Sequence, residues 1–252
     1  MCLMWGSLLT LAQNADYDFY PQFRQLLQQQ RAGDRSITLS QIIERYEAKI
    51  RSEGVSDSEI QRRENLIRNS RNSLEDYFWN QFFAHGKGVY NAAPNAFLTE
   101  VVDGRKPGSA LDYGMGEGRN ALYLAKLGWQ VSGFDPAAEA VSLAQARAKE
   151  LGLKLDAAAV RDGEYDFAKE RFDLVLFSYF PPSAQYTNKV ADALKPDGIV
   201  VVECPADWFP RNNLLKLFDT FQIVRYEIVN AKADFFNRQD MDLIRMVARK
   251  AP

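Results

Sequence analysis

Histidine and cysteine are scarce in this chain of 252 residues. His85 is the only histidine, and Cys2 and Cys204 are the only cysteines. Two cysteines cannot build a disulfide framework, and a zinc site would need to be rich in carboxylates because imidazole and thiolate ligands are lacking. We therefore expect no metal centre.

The sequence also lacks a long apolar run and an excess of charge of one sign. No stretch approaches the ~18 consecutive apolar residues that a membrane-spanning helix needs, so no membrane span is predicted. Lys and Arg number 31 against 33 Asp and Glu, a formal net charge of -2. Because charges of both signs are mixed along the chain, the sequence has no basic patch of the kind that binds nucleic acid. We therefore expect no nucleic-acid partner. With 46% hydrophobic residues, the chain can bury a sizeable core.

The N-terminal stretch MCLMWGSLLTLAQNADYD contains an apolar run that ends in small residues, which is the outline of a short secretory signal. It lacks the basic segment that normally opens such a signal. A mistranslated start or a packed N-terminal helix is therefore the favoured interpretation. A signal-like segment over residues 1–15 is the alternative.

Residues 1–85 predict an α-helical extension. Thr38 with Gln41, and Ser56 with Glu59, have the spacing of capping boxes, in which side chains satisfy the free N–H groups that open a helix. Apolar residues at helical spacing predict one helix through Ile42, Ile43, Tyr46 and Ile50, and a second through Ile60, Ile67, Leu74 and Phe78.

The role of this extension has two interpretations. An aromatic run, YFWNQFF, lies near its end and is followed by a glycine-containing connector. We expect the extension to be a lid over a binding site, because its amphipathic helices need a partner surface. The alternative is a structural or dimer-forming extension, so a homo-oligomer is left open.

Residues 86–252 predict an α/β domain. Strand patterns alternate with helical patterns, which favours a parallel sheet with right-handed crossovers. The predicted strands cover residues 109–113, 129–134, 155–160, 172–180 and 198–204.

The stretch LDYGMGEGRN, residues 111–120, has three glycines in five positions directly after the first predicted strand. Such glycines indicate a tight turn or the close approach of a ligand. The N–H groups that open the following helix would then form a ligand site at the carboxyl edge of the sheet. Asp135 ends the next strand, where an acidic residue roughly 20 positions after a glycine-rich turn commonly accepts hydrogen bonds from ribose hydroxyls. A nucleoside-containing ligand is therefore predicted.

The dinucleotide fingerprint G-x-G-x-x-G is not matched, because Arg119 occupies the position of its third glycine. Instead, LDYGMGEGRNALYLAKLGWQVSGFD resembles the first motif and second-strand acid of class I S-adenosylmethionine-dependent methyltransferases. The stretch ALKPDGIVVVE resembles their turn into the fifth strand. VYNAAPNAFL with GEGRNALYLAKLGW is most similar to the branch that contains tellurite-resistance and thiopurine-type methyltransferases.

The resemblance covers about Val89 to the C-terminus. It implies a Rossmann-like, seven-stranded, mostly parallel sheet with an antiparallel terminal strand, preceded by the helical extension. It also implies S-adenosyl-L-methionine as cofactor and a small molecule as methyl acceptor. The cofactor-binding residues that it implies are Asp112, Gly114, Gly116, Gly118, Asp135, Asp162 and Ser178, with Asp162 at the adenine.

Two other functions stay open, a non-catalytic S-adenosylmethionine-binding protein and a nicotinamide-dependent oxidoreductase. No catalytic residue is assigned, because methyl transfer mainly requires that a nucleophile be aligned with an already electrophilic methyl group. The candidates for a general base are His85, Tyr90, Tyr179 and Glu203. Since the cofactor is made and kept in the cytosol, the resemblance implies a cytoplasmic protein, and export is the alternative if the N-terminal signal is real.

Overall fold

The chain divides into two compact units, with the boundary between Phe82 and Phe83. The structure is a computed structural model that describes residues 17–33, 37–85, 91–209, 213–235 and 240–250. The signal-like segment over residues 1–15 and residues 86–90 of the connector lie outside these residues. Within the described ranges, no helix is both long enough and apolar enough to cross a membrane.

The N-terminal unit is helical. Its elements are α1 (Tyr20–Gly33), α2 (Leu39–Ser52), α3 (Asp57–Asn69) and the greater part of α4 (Arg71–His85). Thr38 and Gln41 form the predicted capping box, in which Thr38 Oγ1 accepts from the Gln41 N–H at 3.3 Å and Gln41 Oε1 accepts from the Thr38 N–H at 2.9 Å. Both predicted apolar stripes contribute to one core, which buries Ile42, Ile43, Tyr46, Ile50, Ile60, Ile67 and Leu74.

One prediction for this unit is wrong. The stripe from Ile60 to Phe78 belongs to two helices, because Ser70 leaves the helical conformation with φ -127° and ψ 29°. Its N–H donates to the Leu66 carbonyl at 2.8 Å and its carbonyl accepts from the Leu74 N–H at 3.0 Å, so one residue ends α3 and begins the bonding of α4. Serine favours such a terminus over a helix interior because its hydroxyl competes for backbone hydrogen bonds.

The C-terminal unit is an α/β sandwich around a seven-stranded sheet in the order β3-β2-β1-β4-β5-β7-β6. The strands are β1 (Ser109–Tyr113), β2 (Gln130–Asp135), β3 (Asp156–Ala159), β4 (Phe172–Ser178), β5 (Leu194–Pro205), β6 (Phe221–Lys232) and β7 (Asp240–Lys250). The helices are α5 (Ala96–Val102), α6 (Arg119–Lys126), α7 (Ala138–Glu150), α8 (Thr187–Ala193) and α9 (Asn213–Leu217).

The sheet pairing confirms the predicted Rossmann-like architecture. Strands β1 to β5 pair in parallel, and β7 is antiparallel to both β5 and β6. Apolar clusters cover both faces of the central strands, which is why β4 has a nearly continuous apolar sequence. The strand order reverses between β1 and β4, and such a switch point opens a crevice at the carboxyl ends of the strands.

Candidate functional site

The glycine-rich segment forms the turn between β1 and α6. Gly114, Gly116 and Gly118 have φ values of 69°, 53° and 75°. These values lie in the left-handed region, which glycine adopts without the steric penalty that a Cβ brings. The conformation of the turn therefore accounts for all three glycines, and it points the start of α6 toward the crevice at the switch point.

Two of these glycines also make room for neighbouring protein atoms. A Cβ on Gly114 would lie 2.1 Å from Cδ2 of Phe180, and a Cβ on Gly118 would lie 3.0 Å from the Ala144 Cβ on α7. The sequence predicted that a tight turn or the close approach of a ligand explains these glycines. In part the group that approaches them is the Phe180 ring of the protein, which packs against the turn.

Gly114→Ala provides a test of this packing. We expect it to lower the free energy of unfolding by about 2–3 kcal/mol, because left-handed strain adds to overpacking against Phe180. Gly152→Ala is the matched control, since Gly152 has φ 65° but no atom within 4 Å of its added Cβ, and about 1 kcal/mol of strain is expected there. Urea unfolding measures both values. Equal losses in the two variants would show that Phe180 does not constrain the turn.

Asp135 joins the end of β2 to the glycine-rich turn. Its Oδ2 accepts from the Gly116 N–H at 2.9 Å and its Oδ1 accepts from the Ala137 N–H at 2.8 Å. The side chain is buried, with 7% of the residue exposed. An ionised carboxylate accepts up to about four hydrogen bonds, so these two backbone bonds orient Asp135 without by themselves exhausting its capacity to accept more.

Asp112 lies beneath the same turn. Its Oδ2 accepts from the Ala121 N–H at 2.9 Å, so the carboxyl group ties β1 to the first turn of α6. Burial raises the pKa of Asp112 to about 7, partly offset by the Ala121 hydrogen bond and the charge of Arg119, while Asp135 raises it further. In this structure, Asp112 therefore fixes the start of α6 relative to β1 through its hydrogen bond with the Ala121 backbone.

This raised pKa predicts a pH dependence of stability. The folded-state pKa of Asp112 lies above its ordinary value of 3.8, so the folded chain binds the proton more tightly. Its contribution to the free energy of unfolding is therefore present below about pH 4 and is lost as the pH rises to about 7. Asp112→Asn removes the titration while keeping an acceptor for Ala121.

We expect the wild-type chain to lose about 2–4 kcal/mol of stability relative to the Asn variant between about pH 4 and about pH 8. Urea unfolding of both proteins across this range measures the difference. A difference that does not change with pH would contradict the assignment of Asp112 as the titrating group.

The end of β4 makes a strained turn at Tyr179. This residue has φ 55°, its N–H donates to the Glu203 carbonyl at 2.9 Å, and its hydroxyl donates to Glu203 Oε1 at 3.2 Å. The same hydroxyl accepts from the Asp234 N–H at 3.1 Å. Burial and the neighbouring charge of Glu203 raise the pKa of Tyr179, so the phenol stays protonated at neutral pH. This turn directs the chain so that Phe180 packs on Gly114.

Glu203, on β5, is buried and 1% exposed. Its Oε1 accepts from Asn95 Nδ2 and from the Tyr179 hydroxyl, and its Oε2 accepts from Arg245 Nε at 2.7 Å. Two of the four candidate bases, Tyr179 and Glu203, are therefore committed to a structural network. Tyr90 and the side chain of His85 lie outside what the structure describes.

Arg119 connects this network to the glycine-rich turn. Its Nη2 donates to Asp234 Oδ1 at 2.8 Å and lies 3.4 Å from Ser178 Oγ, and its Nη1 donates to the Ala93 carbonyl at 3.0 Å. The Arg119 side chain is 8% exposed. Asp234 in turn accepts from Asn95 Nδ2 at 3.0 Å. A largely buried ion pair thus holds Asp234, two residues after β6, beside the end of β4.

Asp162 lies in the loop after β3, on the same edge of the sheet. Its Oδ2 accepts from the Tyr113 hydroxyl at 3.2 Å. All seven predicted cofactor-binding residues therefore lie at or next to the carboxyl ends of β1 to β4. The structure bonds Gly116 directly to Asp135, and it places Ser178 beside Arg119. Binding of a cofactor by these residues stays a prediction.

Sequence reasoning missed several residues of the site, namely Tyr113, Asn95, Asp234 and Arg245, and it treated Arg119 only as a departure from the dinucleotide fingerprint. A signal existed for Arg119, because a cation in the first turn of a helix departs from the usual electrostatic preference and therefore suggests a partner. In the described ranges, no group of three or more His, Cys, Asp or Glu side chains is placed to hold a metal ion.

Comparison with known sequences finds relatives of the region that forms this edge of the sheet. The family described as "Methyltransferase domain" matches residues 110–198. A ubiquinone biosynthesis O-methyltransferase from Methylobacterium sp. (strain 4-46) is 31% identical over 119 residues, which cover 46% of this chain and 44% of that protein. Hemagglutinin 1 of Eikenella corrodens is 30% identical over 173 residues, which cover 60% of this chain and 54% of that protein. The chain thus spans about half the length of these two relatives.

Solved structures share the fold. One is the 1,6-didemethyltoxoflavin-N1-methyltransferase of Burkholderia thailandensis with bound S-adenosylhomocysteine. It superposes with a TM-score of 0.56 at 21% identity, and the match covers 73% of this chain and 90% of that chain. TehB from Haemophilus influenzae gives 0.50 at 19% identity and covers 62% of each chain. The predicted resemblance is confirmed at the level of the fold.

Proposed function

We propose that this chain, which has the fold of the class I S-adenosylmethionine-dependent methyltransferases, is an enzyme that transfers a methyl group to a small-molecule acceptor. The match of residues 110–198 to a methyltransferase domain supports this proposal. So does the similarity of that region to ubiquinone biosynthesis O-methyltransferases. The acceptor of this chain is proposed only as a small molecule.

One observation carries the proposal. The Gly116 N–H and the Asp135 carboxylate are bonded at 2.9 Å, which fixes the glycine-rich turn and the acid of the second strand as one unit. This unit lies where the strand order reverses, the position at which open α/β sheets bind nucleoside ligands. A nicotinamide dinucleotide would favour a glycine where this chain has the buried Arg119.

The residues present fit S-adenosylmethionine. Asp135 would accept from the ribose hydroxyls, the backbone of Gly114 and Gly116 would border the methionine part, and Asp162 would face the adenine. Ser178 would lie toward the reacting end, beside Arg119. When bound, the cofactor supplies a methyl group that is already electrophilic because it is carried on a sulfonium.

The chain itself supplies orientation and exclusion of water in this proposal. Tyr179 and Glu203 are occupied by the buried network, so neither takes a proton from the acceptor. An acceptor atom that is already nucleophilic at neutral pH, such as a thiolate or another soft nucleophile, needs no general base, and we propose an acceptor of this class. Alignment of reacting groups alone accelerates such reactions greatly. Because the cofactor is made in the cytosol, a cytoplasmic protein is also proposed.

The experiment that tests this function uses the full chain. Calorimetric titration with S-adenosylmethionine, S-adenosylhomocysteine and NADH establishes which cofactor binds, and selective binding of NADH would favour the oxidoreductase alternative. Incubation with S-adenosylmethionine and pools of small molecules, followed by mass spectrometry, then seeks an acceptor that gains one methyl group. Cofactor binding without any such product would favour a non-catalytic binding protein.

A further inference from the structure

The last strand of the sheet has a long outer edge. Within the described part of the chain, β6 ends the strand order and only β7 pairs with it. β6 has 12 residues, whereas β3 at the opposite edge has 4. Proteins usually keep edge strands short, charged or bulged, because a long edge is a template for a further strand. The length of β6 therefore favours pairing along both of its sides.

β6 also exposes apolar side chains. Ile223, Val224 and Ile228 are between 38% and 54% exposed, and no other strand in the described ranges exposes a large hydrophobic residue to this extent. The pairing with β7 shifts register between Ile223 and Arg225, so the strand is bulged there and regular from Arg225 to Lys232. A bulge disrupts pairing only locally. The exposed Ile228 lies in the regular part, where a further strand can pair.

The sequence of β6 reads nearly the same in both directions from Tyr226. Arg225 and Glu227 stand on either side of it with opposite charges. Apolar residues occupy the next two positions on both sides, and an amide follows them, in the order Val224 with Ile228, Ile223 with Val229, and Gln222 with Asn230. Two identical antiparallel strands related by a two-fold axis through Tyr226 therefore match apolar with apolar, amide with amide and cation with anion.

Charge selects this register over the neighbouring ones. Residues that stand opposite each other in an antiparallel pair direct their N–H and C=O groups alike, so two copies of one strand pair with a residue on the axis. An axis at Arg225 or Glu227 would place that charge opposite its own copy, which is destabilising. The axis at Tyr226 instead places Arg225 opposite Glu227 of the second copy. Since Arg225 also pairs with Glu227 in its own chain at 2.6 Å, four alternating charges would close into a ring.

We propose that β6 pairs with β6 of a second copy of this chain, antiparallel and with Tyr226 on the two-fold axis, so that the two sheets continue into each other. This inference goes beyond the proposed function and does not depend on it. A two-fold contact is closed, so the assembly is a dimer and nothing larger. One pair of strands buries less than the standard interface of about 1,600 Å², and we therefore expect a dimer Kd of about 1–100 µM.

Sedimentation velocity of the full chain, at concentrations on both sides of this Kd, tests the proposal. The mass of the wild-type species should rise from one chain to two as the concentration increases. Ile228→Lys should raise the dimer Kd about 10-fold or more, because it places a charge opposite Val224 twice in each dimer. Leu151→Lys is the matched control, since Leu151 is 50% exposed at the end of α7, and it should leave the Kd unchanged.

Two charge variants test the register. Glu227→Arg places arginine opposite arginine in its own dimer, and Arg225→Glu places glutamate opposite glutamate, so each variant alone should dimerise about 10-fold or more weakly than the wild type. An equimolar mixture of the two variants restores a cation opposite an anion in both pairs. The mixture should therefore form a heterodimer with a Kd within about 3-fold of the wild-type value. Rescue by mixing also shows that both variants are folded.

Several results would overturn this dimer. A wild-type chain that stays monomeric at the highest concentration would show that no second copy covers β6. A dimer that Ile228→Lys and Leu151→Lys weaken equally would place the contact elsewhere, and so would species larger than two chains. Charge variants that gain no affinity on mixing, while urea unfolding shows both to be folded, would exclude the register at Tyr226. None of these results bears on methyl transfer, so the proposed function stands or fails separately.

Discussion

Asp135→Ala is expected to weaken S-adenosylmethionine binding by about 2–5 kcal/mol, which corresponds to an increase in Kd of about 30-fold or more. Two hydrogen bonds from ribose hydroxyls to a charged acceptor would be lost. The variant also removes the acceptor for the Gly116 and Ala137 N–H groups, so the free energy of unfolding should fall by about 1–3 kcal/mol. Calorimetric titration measures the first effect and urea unfolding the second.

Asp156→Ala is the matched control for this substitution. Asp156 begins β3, at the end of that strand opposite the carboxyl edge, and its side chain is 70% exposed. It pairs with Arg171 at 2.9 Å and accepts from Ser132 Oγ at 3.1 Å. Such pairs contribute about 0–1 kcal/mol, so affinity should be unchanged and stability nearly so. A folded Asp135→Ala variant with wild-type affinity would remove Asp135 from the binding site.

Glu203→Leu is expected to lower the free energy of unfolding by about 3–5 kcal/mol. It leaves the Arg245 guanidinium without its partner carboxylate on β5 and the buried Tyr179 hydroxyl without its acceptor. It also removes one of the two acceptors of the Asn95 amide, which keeps Asp234. Removing one member of a buried charge network has this magnitude because the remaining groups stay desolvated. Urea unfolding at neutral pH gives the value.

The matched control for Glu203 is Glu100→Ala. Glu100 pairs with Arg225 at the surface, and more than half of its side chain is exposed, so a loss of about 0–1 kcal/mol is expected. Similar small losses in both variants would show that the network around Glu203 does not stabilise the chain. Glu203→Gln separates structure from chemistry, because a general base would lose turnover in this variant even where the fold is retained.

Much of the sheet could be predicted because its signals are local. The first strand was predicted at its observed bounds, residues 109–113. The antiparallel terminal strand was expected from the family resemblance and is observed as β7. The contact between Gly116 and Asp135 was also within reach, since right-handed crossovers bring the ends of consecutive parallel strands together. Ser70 was missed because one apolar periodicity continues across it.

The buried network was not predictable from local patterns. Arg119 and Asp234 are 115 positions apart, and Asn95 and Glu203 are 108 apart, so no helix or strand periodicity relates them. Tyr113 was missed for another reason. It stands in an apolar strand where its ring belongs to the core, and the sequence does not show that its hydroxyl emerges at the sheet edge beside Asp162.

The most direct measurement of the central claim follows a labelled methyl group. The full chain is incubated with S-adenosylmethionine carrying a deuterated methyl group and with pools of small molecules, and mass spectrometry follows both the label and S-adenosylhomocysteine. We predict that the wild-type chain moves the label to an acceptor with formation of equimolar S-adenosylhomocysteine, and that the Asp135→Ala variant does so far more slowly. A chain that binds the cofactor yet transfers the label to no acceptor, or that binds a nicotinamide cofactor in its place, would contradict this account.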